Sequence, residues 1–160
     1  MKILSIDSGI ERTGYSVFCI ENKTPRYITS GLIKTSKQKN TGNRLHEIYT
    51  SIQSIIKKHS IKTVILERLF FFKNQKTVIK VSQTQGVILL LATQNNITVD
   101  FLTPLQIKQI ITGYGRADKK SVQKMLALTM PFPKKITQDD EADAVACGLA
   151  YCYLKKNLLQ

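Results

Sequence analysis

The chain has no tryptophan, three cysteines, four prolines and eleven acidic residues among 160. Each scarcity excludes something. Three cysteines cannot build a paired disulfide framework, and the spacing from Cys147 to Cys152 fits no metal knuckle. Cys19, Cys147 and Cys152 therefore read as buried free thiols of a reducing, cytoplasmic setting. No apolar run approaches the ~20 residues of a membrane-spanning helix. The longest, Val87 to Ala92, is far shorter, so no membrane partner is expected. A strand pattern begins at residue 2 and no cleavage site follows, so no signal peptide is expected. Repeats, linkers and low-complexity segments are missing, and one domain over residues 1–160 is expected.

The shortage of acid is the most informative. Against eleven Asp and Glu stand 24 Lys and Arg, a formal charge of +13. Such an excess points to a polyanionic partner, most simply nucleic acid. A basic surface serving only solubility is the bland alternative. An anionic membrane is disfavoured because no basic amphipathic anchor stands out.

Hydrophobic patterning yields ten elements. The opening "KILSIDSGIERTGYS" reads as strand, tight loop, strand, with Asp7 where the first strand leaves the core. Residues Pro25–Thr35 form a third strand. Leu45, Ile48, Tyr49, Ile52, Ile55 and Ile56 recur at helical steps over Asn43–His59. Lys62–Glu67 is a fourth strand, too continuously apolar to face water. A helix follows over Thr77–Asn96, then a strand over Thr98–Leu102. Thr103 caps a helix whose first residue is Pro104, ending near Thr112. The segment "GYGRADKK" reads as a flexible basic loop. Helices over Lys119–Thr129 and from Asp139 to about Lys156 complete the chain. The expected fold is α/β, a mixed five-stranded sheet with helices on both faces.

So few acids make each position count. Asp7 ends the first strand and Glu67 the fourth. The densest cluster, "QDDEADAVA", opens the last helix with Asp139, Asp140, Glu141 and Asp143. Bland readings exist for all of them. Asp7 beside Ser8-Gly9 can be turn chemistry; acids in a first helical turn complement the helix dipole; Glu67 can be solvated. Their conjunction favours a site. Parallel pairing sets the ends of strands one and four side by side, and a helix start against the same sheet adds two more carboxylates. In a polyanion-binding protein, such a cluster calls for divalent cations to neutralise it. Asp139 leaves an ambiguity, because it too is a helical neighbour of Asp143.

At these residues the chain resembles the RuvC family of Holliday junction resolvases, which has a ribonuclease H-like fold. "IDSGIERTGY", "ILERLFFFKN" and "DEADAVACGLA" look like its acidic motifs. "QTQGVILLLA" and "LTPLQIKQIITGYGRADKKSVQKML" look like its long helix and the basic segment ahead of the last motif. The resemblance covers nearly the whole chain in order. It implies metal ligands at Asp7, Glu67, Asp140 and Asp143, with two Mg²⁺ per site and Mn²⁺ as the alternative. It also matches Lys108 and Lys119 to two lysines near the junction backbone, and Phe70 to an aromatic offered to bases. RuvA and RuvB are partners by resemblance only. The chain departs from the pattern at Ser8, where many members have proline, and in the triple Phe70-Phe71-Phe72, which leaves the stacking ring open.

The expected chemistry is paired phosphodiester cleavage of a four-way DNA junction, giving 5′-phosphate and 3′-hydroxyl ends. Lys119 would position the scissile phosphate; the bland reading is one more solvated charge. At least one Phe of the triplet would be exposed beside Lys73 to stack on unpaired bases, and Arg116 and Lys120 would add backbone contacts. His46 and His59 read as ordinary surface residues. The rivals are a YqgF-type RNA nuclease of the same fold, a sugar-kinase or actin-like ATPase, and a catalytically silent junction-binding module. The ATPase needs two lobes and a second phosphate motif. Cutting two strands requires two sites, hence a homodimer. The Thr77–Asn96 helix is the expected interface. Val78, Val81, Gln85, Ile88, Leu89 and Ala92 would mark one side, and Val87, Leu90 and Leu91 the other, with Gly86 allowing close approach. Coverage of that second side by the final helix is the alternative.

Overall fold

A computed structural model describes residues 1–69, 75–133 and 135–158, without the side chains of 75–77 and 157–158. The elements run β1 (Lys2–Asp7), β2 (Arg12–Glu21), β3 (Thr24–Lys34), α1 (Thr41–His59), β4 (Thr63–Glu67), α2 (Gln75–Gln94), β5 (Thr98–Leu102), α3 (Pro104–Thr112), α4 (Lys119–Thr129) and α5 (Asp139–Leu158). Order and type follow the sequence reading. Ends move by a residue or two, most at α2. Its expected end at Asn96 gives way two residues earlier, because Asn96 turns left-handed at φ 53° and Ile97 bonds back to Ala92. Asn tolerates that conformation better than most residues.

The sheet order is β3-β2-β1-β4-β5. β1, β2 and β3 pair antiparallel, while β1, β4 and β5 run parallel. Period-two alternation divides each central strand between two cores. Ile3, Phe18 and Ile65 face one layer, where Val145 and Leu149 of α5 meet Ile107 and Ile111 of α3 and Val122 and Leu126 of α4. Leu4, Ile6, Val17, Val64 and Leu66 face the other, against Ile48, Ile52 and Ile56 of α1 and Ile88, Leu91 and Ala92 of α2. The three cysteines are buried and free, and Cys147 and Cys152 lie in the α5-side core.

Local chemistry sets the helix starts that matter. Asn40 caps α1 by accepting from the Asn43 amide. Thr103 and Gln106 form a reciprocal capping box at α3, with Pro104 in its first turn. Asp118 accepts from the Ser121 amide and begins α4 at Lys119. α5 opens with Asp139, Asp140 and Glu141, the sign that a helix N-terminus favours. It lies across β1, β2 and β3. Its approach is close: a Cβ on Gly14 would stand 1.9 Å from the Asp140 carbonyl oxygen, and one on Gly148 would stand 2.8 Å from Ser16 Oγ.

Candidate active site

Three placements bring the acids together. Asp7 is the last residue of β1 and Glu67 the last of β4; these strands pair parallel with Ile6 opposite Leu66, so both carboxylates leave the sheet at one edge. Asp7 also pairs with Gly14 of β2, and Gly14 is where the α5 backbone touches the sheet. That contact delivers Asp140 and Asp143 to the same end. A cleft of about 250 Å³ lies there, lined by Glu67 and Asp143 opposite Lys108 and Lys119, with Pro104, Ile107, Val122 and Ala146 as its apolar wall.

Electrostatics confirms the grouping. Burial, then the charges of Asp143, Glu67 and Asp140, push the Asp7 carboxyl from 3.8 up to about 7; Lys119 pulls the other way. Burial and Asp143 raise Glu67, opposed by Lys108 and Lys119. Four carboxylates thus share one field, with two lysines at its rim. Asp139 is largely exposed and faces Gln123 and Lys119, whereas Asp140 is among the charges that raise Asp7.

Each helix acid has an internal partner. Lys119 donates to Asp143 at 2.8 Å and lies 3.6 Å from Asp139. Burial works against its charge, but these carboxylates outweigh burial and leave its pKa raised, so it stays an ammonium. Arg12 Nε donates to Asp140 at 2.6 Å. Glu141 is buried and accepts from Ser30 Oγ at 2.5 Å, away from the cleft. Held this way, no three carboxylates among the described residues stand in a closed cation cage. The donor set nevertheless suits a hard divalent ion. It is all carboxylate oxygen, and the strongly raised Asp7 carries the repulsion that such an ion relieves.

The remaining expected contacts divide. Arg116 and Lys120 are exposed next to Lys119. Phe70, Phe71, Phe72 and Lys73 lie outside the described residues. The loop read as flexible is pinned instead: Gln109 donates to the Gly113 carbonyl and accepts from the Gly115 amide, while Thr112 Oγ1 bonds the Tyr114 backbone. Two residues escaped the sequence reading. Gln85, counted there among the apolar stripe, is buried and donates to the Glu67 carbonyl at 2.9 Å, bracing the strand end. A polar residue inside an apolar helical stripe was the available signal. Arg12 carried none, since its partners lie 126 and 128 positions away.

A mixed sheet of this order, with acids at two adjacent strand ends and on the first turns of the helix that closes over them, defines a ribonuclease H-like protein with a nuclease-type site. The family described as Crossover junction endodeoxyribonuclease RuvC matches residues 3–152, and the chain belongs to that family. It is 41% identical over 160 residues to the RuvC of Clostridioides difficile strain 630, covering 100% of this chain and 94% of that one. The RuvC of Caldicellulosiruptor saccharolyticus is 40% identical over 160 residues, covering 99% and 96%. Among solved structures, T. thermophilus RuvC in complex with a Holliday junction substrate superposes with a TM-score of 0.90 at 25% identity, covering 98% of this chain and 96% of that one. The fowlpox virus Holliday junction resolvase shares the fold, with a TM-score of 0.59 at 22% identity over 95% and 98%.

Proposed function

We propose that this chain is a structure-selective endodeoxyribonuclease that resolves four-way DNA junctions by paired, metal-assisted cleavage, leaving 5′-phosphate and 3′-hydroxyl ends. The convergence of Asp7, Glu67, Asp140 and Asp143 beside Lys108 and Lys119, in a chain of charge +13, carries the reading. Asp7, Glu67, Asp140 and Asp143 would hold two Mg²⁺, with Mn²⁺ as a substitute. Bound there, such a pair supplies an activated water and charge stabilisation for the leaving 3′-oxygen.

The chain's own residues do the rest. Asp7 and Glu67 project from strand ends and give the ligand set its rigid half. The Lys119 ammonium, now on Asp143, is placed to take a phosphate oxygen when a substrate strand enters the cleft, with Lys108 on the same wall. Arg116 and Lys120 meet the backbone of an arm. The segment Phe70-Phe71-Phe72-Lys73, which begins three residues after Glu67, is proposed to meet unpaired bases at the crossover. Two strands must be cut, so the working form is a homodimer, joined through α2. Its outward side exposes Ile79, Leu89 and Leu90 around Gly86. The cell compartment is the cytoplasm, and RuvA and RuvB are partners by family resemblance.

A labelled synthetic four-way junction with Mg²⁺, tested beside duplex DNA, structured RNA and ATP, separates the alternatives. Symmetric nicks in two strands of the junction are expected, with duplex, RNA and ATP left intact. Cleavage of RNA in preference would favour the RNA nuclease of the same fold. Junction binding with no cutting in any divalent metal would mean a silent binding module.

A further inference from the structure

Arg12 opens β2 and reaches across to the start of α5. Its Nε donates to Asp140 Oδ2 at 2.6 Å, and its terminal nitrogen donates to Gln138 Oε1 at 2.8 Å. Two residues along the same strand, Gly14 holds the Asp140 backbone in close contact. Strand β2 therefore fixes both the main chain and the side chain of one candidate ligand. Both members of the pair are only part-exposed. They border an open depression of about 490 Å³ shared with Thr137, Gln138 and Asp139. Among the described residues, no hydrogen bond engages the other oxygen, Oδ1.

We infer that Arg12 sets the cation selectivity of the carboxylate cluster: by occupying Oδ2 it restricts Asp140 to single-oxygen coordination, which favours Mg²⁺ over Ca²⁺. The inference rests on the metal-binding reading above. Ca²⁺ takes six to eight oxygens and often both oxygens of one carboxylate, whereas Mg²⁺ demands a compact octahedron. A carboxylate with one oxygen committed to a guanidinium would offer a cation one oxygen rather than two. Lys119 on Asp143 is a different case. Its ammonium is a single point charge on a flexible stem that also faces the cleft, whereas the arginine fork is planar and held at two points.

Charge alone cannot mimic this effect. Removing a positive group strengthens the binding of any divalent ion, and Mg²⁺ and Ca²⁺ carry equal charge. Only release of an oxygen separates them. The test is calorimetric titration of the DNA-free protein with Mg²⁺ and with Ca²⁺, for wild type, Arg12→Met and Arg12→Lys, each checked for a native thermal transition. Arg12→Met should tighten Ca²⁺ binding several-fold more than Mg²⁺ binding. Arg12→Lys, which keeps the charge but loses the planar fork held at two points, should shift the ratio in the same direction by less. An equal shift for both ions, or no shift, overturns the inference and leaves the metal site standing. A wild-type protein that takes up neither ion overturns the metal site and this inference with it.

Discussion

Asp7 shows how one residue can be costly to the fold and useful to the site. Its carboxyl is driven from 3.8 to about 7 by burial and by three neighbouring carboxylates. A raised acid favours the folded state only while it is protonated. Below about pH 4 it is neutral in both states; as pH rises toward about 7 the unfolded chain ionises it freely and the fold does not, so stability is lost over that window. Without metal, Asp7→Asn should therefore melt higher than wild type at about pH 8, by up to a few kcal/mol, with the gain fading toward about pH 4. Mg²⁺ should raise the wild-type transition at the higher pH and raise the variant's far less. Melting curves in chelator and in Mg²⁺ check both statements. A variant no more stable than wild type in chelator at the higher pH would mean that Asp7 is not under the repulsion described. Equal Mg²⁺ protection of the two would remove it from the ligand set.

At the scale of elements, α2 illustrates how far periodicity reaches. The sequence reading put Leu89 and Leu91 on opposite sides without assigning either to the sheet. In the structure Leu91 is fully buried, while Leu89 and Leu90 are 37% and 56% exposed. A helix apolar around most of its girth leaves its rotation undetermined by pattern, and contact with α1 and β5 sets it. The expected alternative cover, α5, packs on the opposite layer of the sheet. The outward strip of Ile79, Gly86 and Leu90 is thus uncovered by α5 and is the face proposed for the dimer. A Cβ on Gly86 would meet nothing within 4 Å inside this chain. Gly86→Met should then leave the monomer folded, with a gain of roughly 0.5–1 kcal/mol in helix propensity, yet hinder association. If the proposed dimer forms through this face, Leu90→Glu should leave the protein monomeric, and junction cutting should fall with it. Sedimentation at micromolar protein reads the outcome. Variants that associate like wild type would place the interface elsewhere.

Over the whole molecule, charge is the controlling quantity. The net +13 is borne by a chain in which four of the eleven acids gather at one end of the sheet. Phosphate contacts from Lys108, Arg116, Lys119 and Lys120 would each release counterions. Junction affinity should therefore fall steeply with salt, with a slope of about −0.9 per contact on duplex arms. Lys120→Ala should reduce the slope by about one contact's worth while leaving cleavage at saturating enzyme largely intact. Gel-shift titrations across a salt series measure it, and a flat dependence would contradict the nucleic-acid reading.

Much of this was legible in the residues. Short apolar alternations, the Thr103-Pro104 start of α3 and the Gly113 that ends it act over a few neighbours. The element order followed from them, as did the capping at Thr103. Acids at Asp7 and Glu67 could be seen at strand ends because a strand's end is a local event. What lay beyond reach depends on distant segments meeting. Arg12 joins Asp140 only because β2 turns back along β1 and α5 docks where Gly14 leaves no side chain in the way. Gln85 finds the Glu67 carbonyl only once α2 lies along the sheet. The separate surroundings of Asp139 and Asp140 needed the helix's rotation. The outward face of α2 needed its neighbours. Local propensity carries no information on such pairings, because their energy exists only after the chain has closed the loops that bring the partners together.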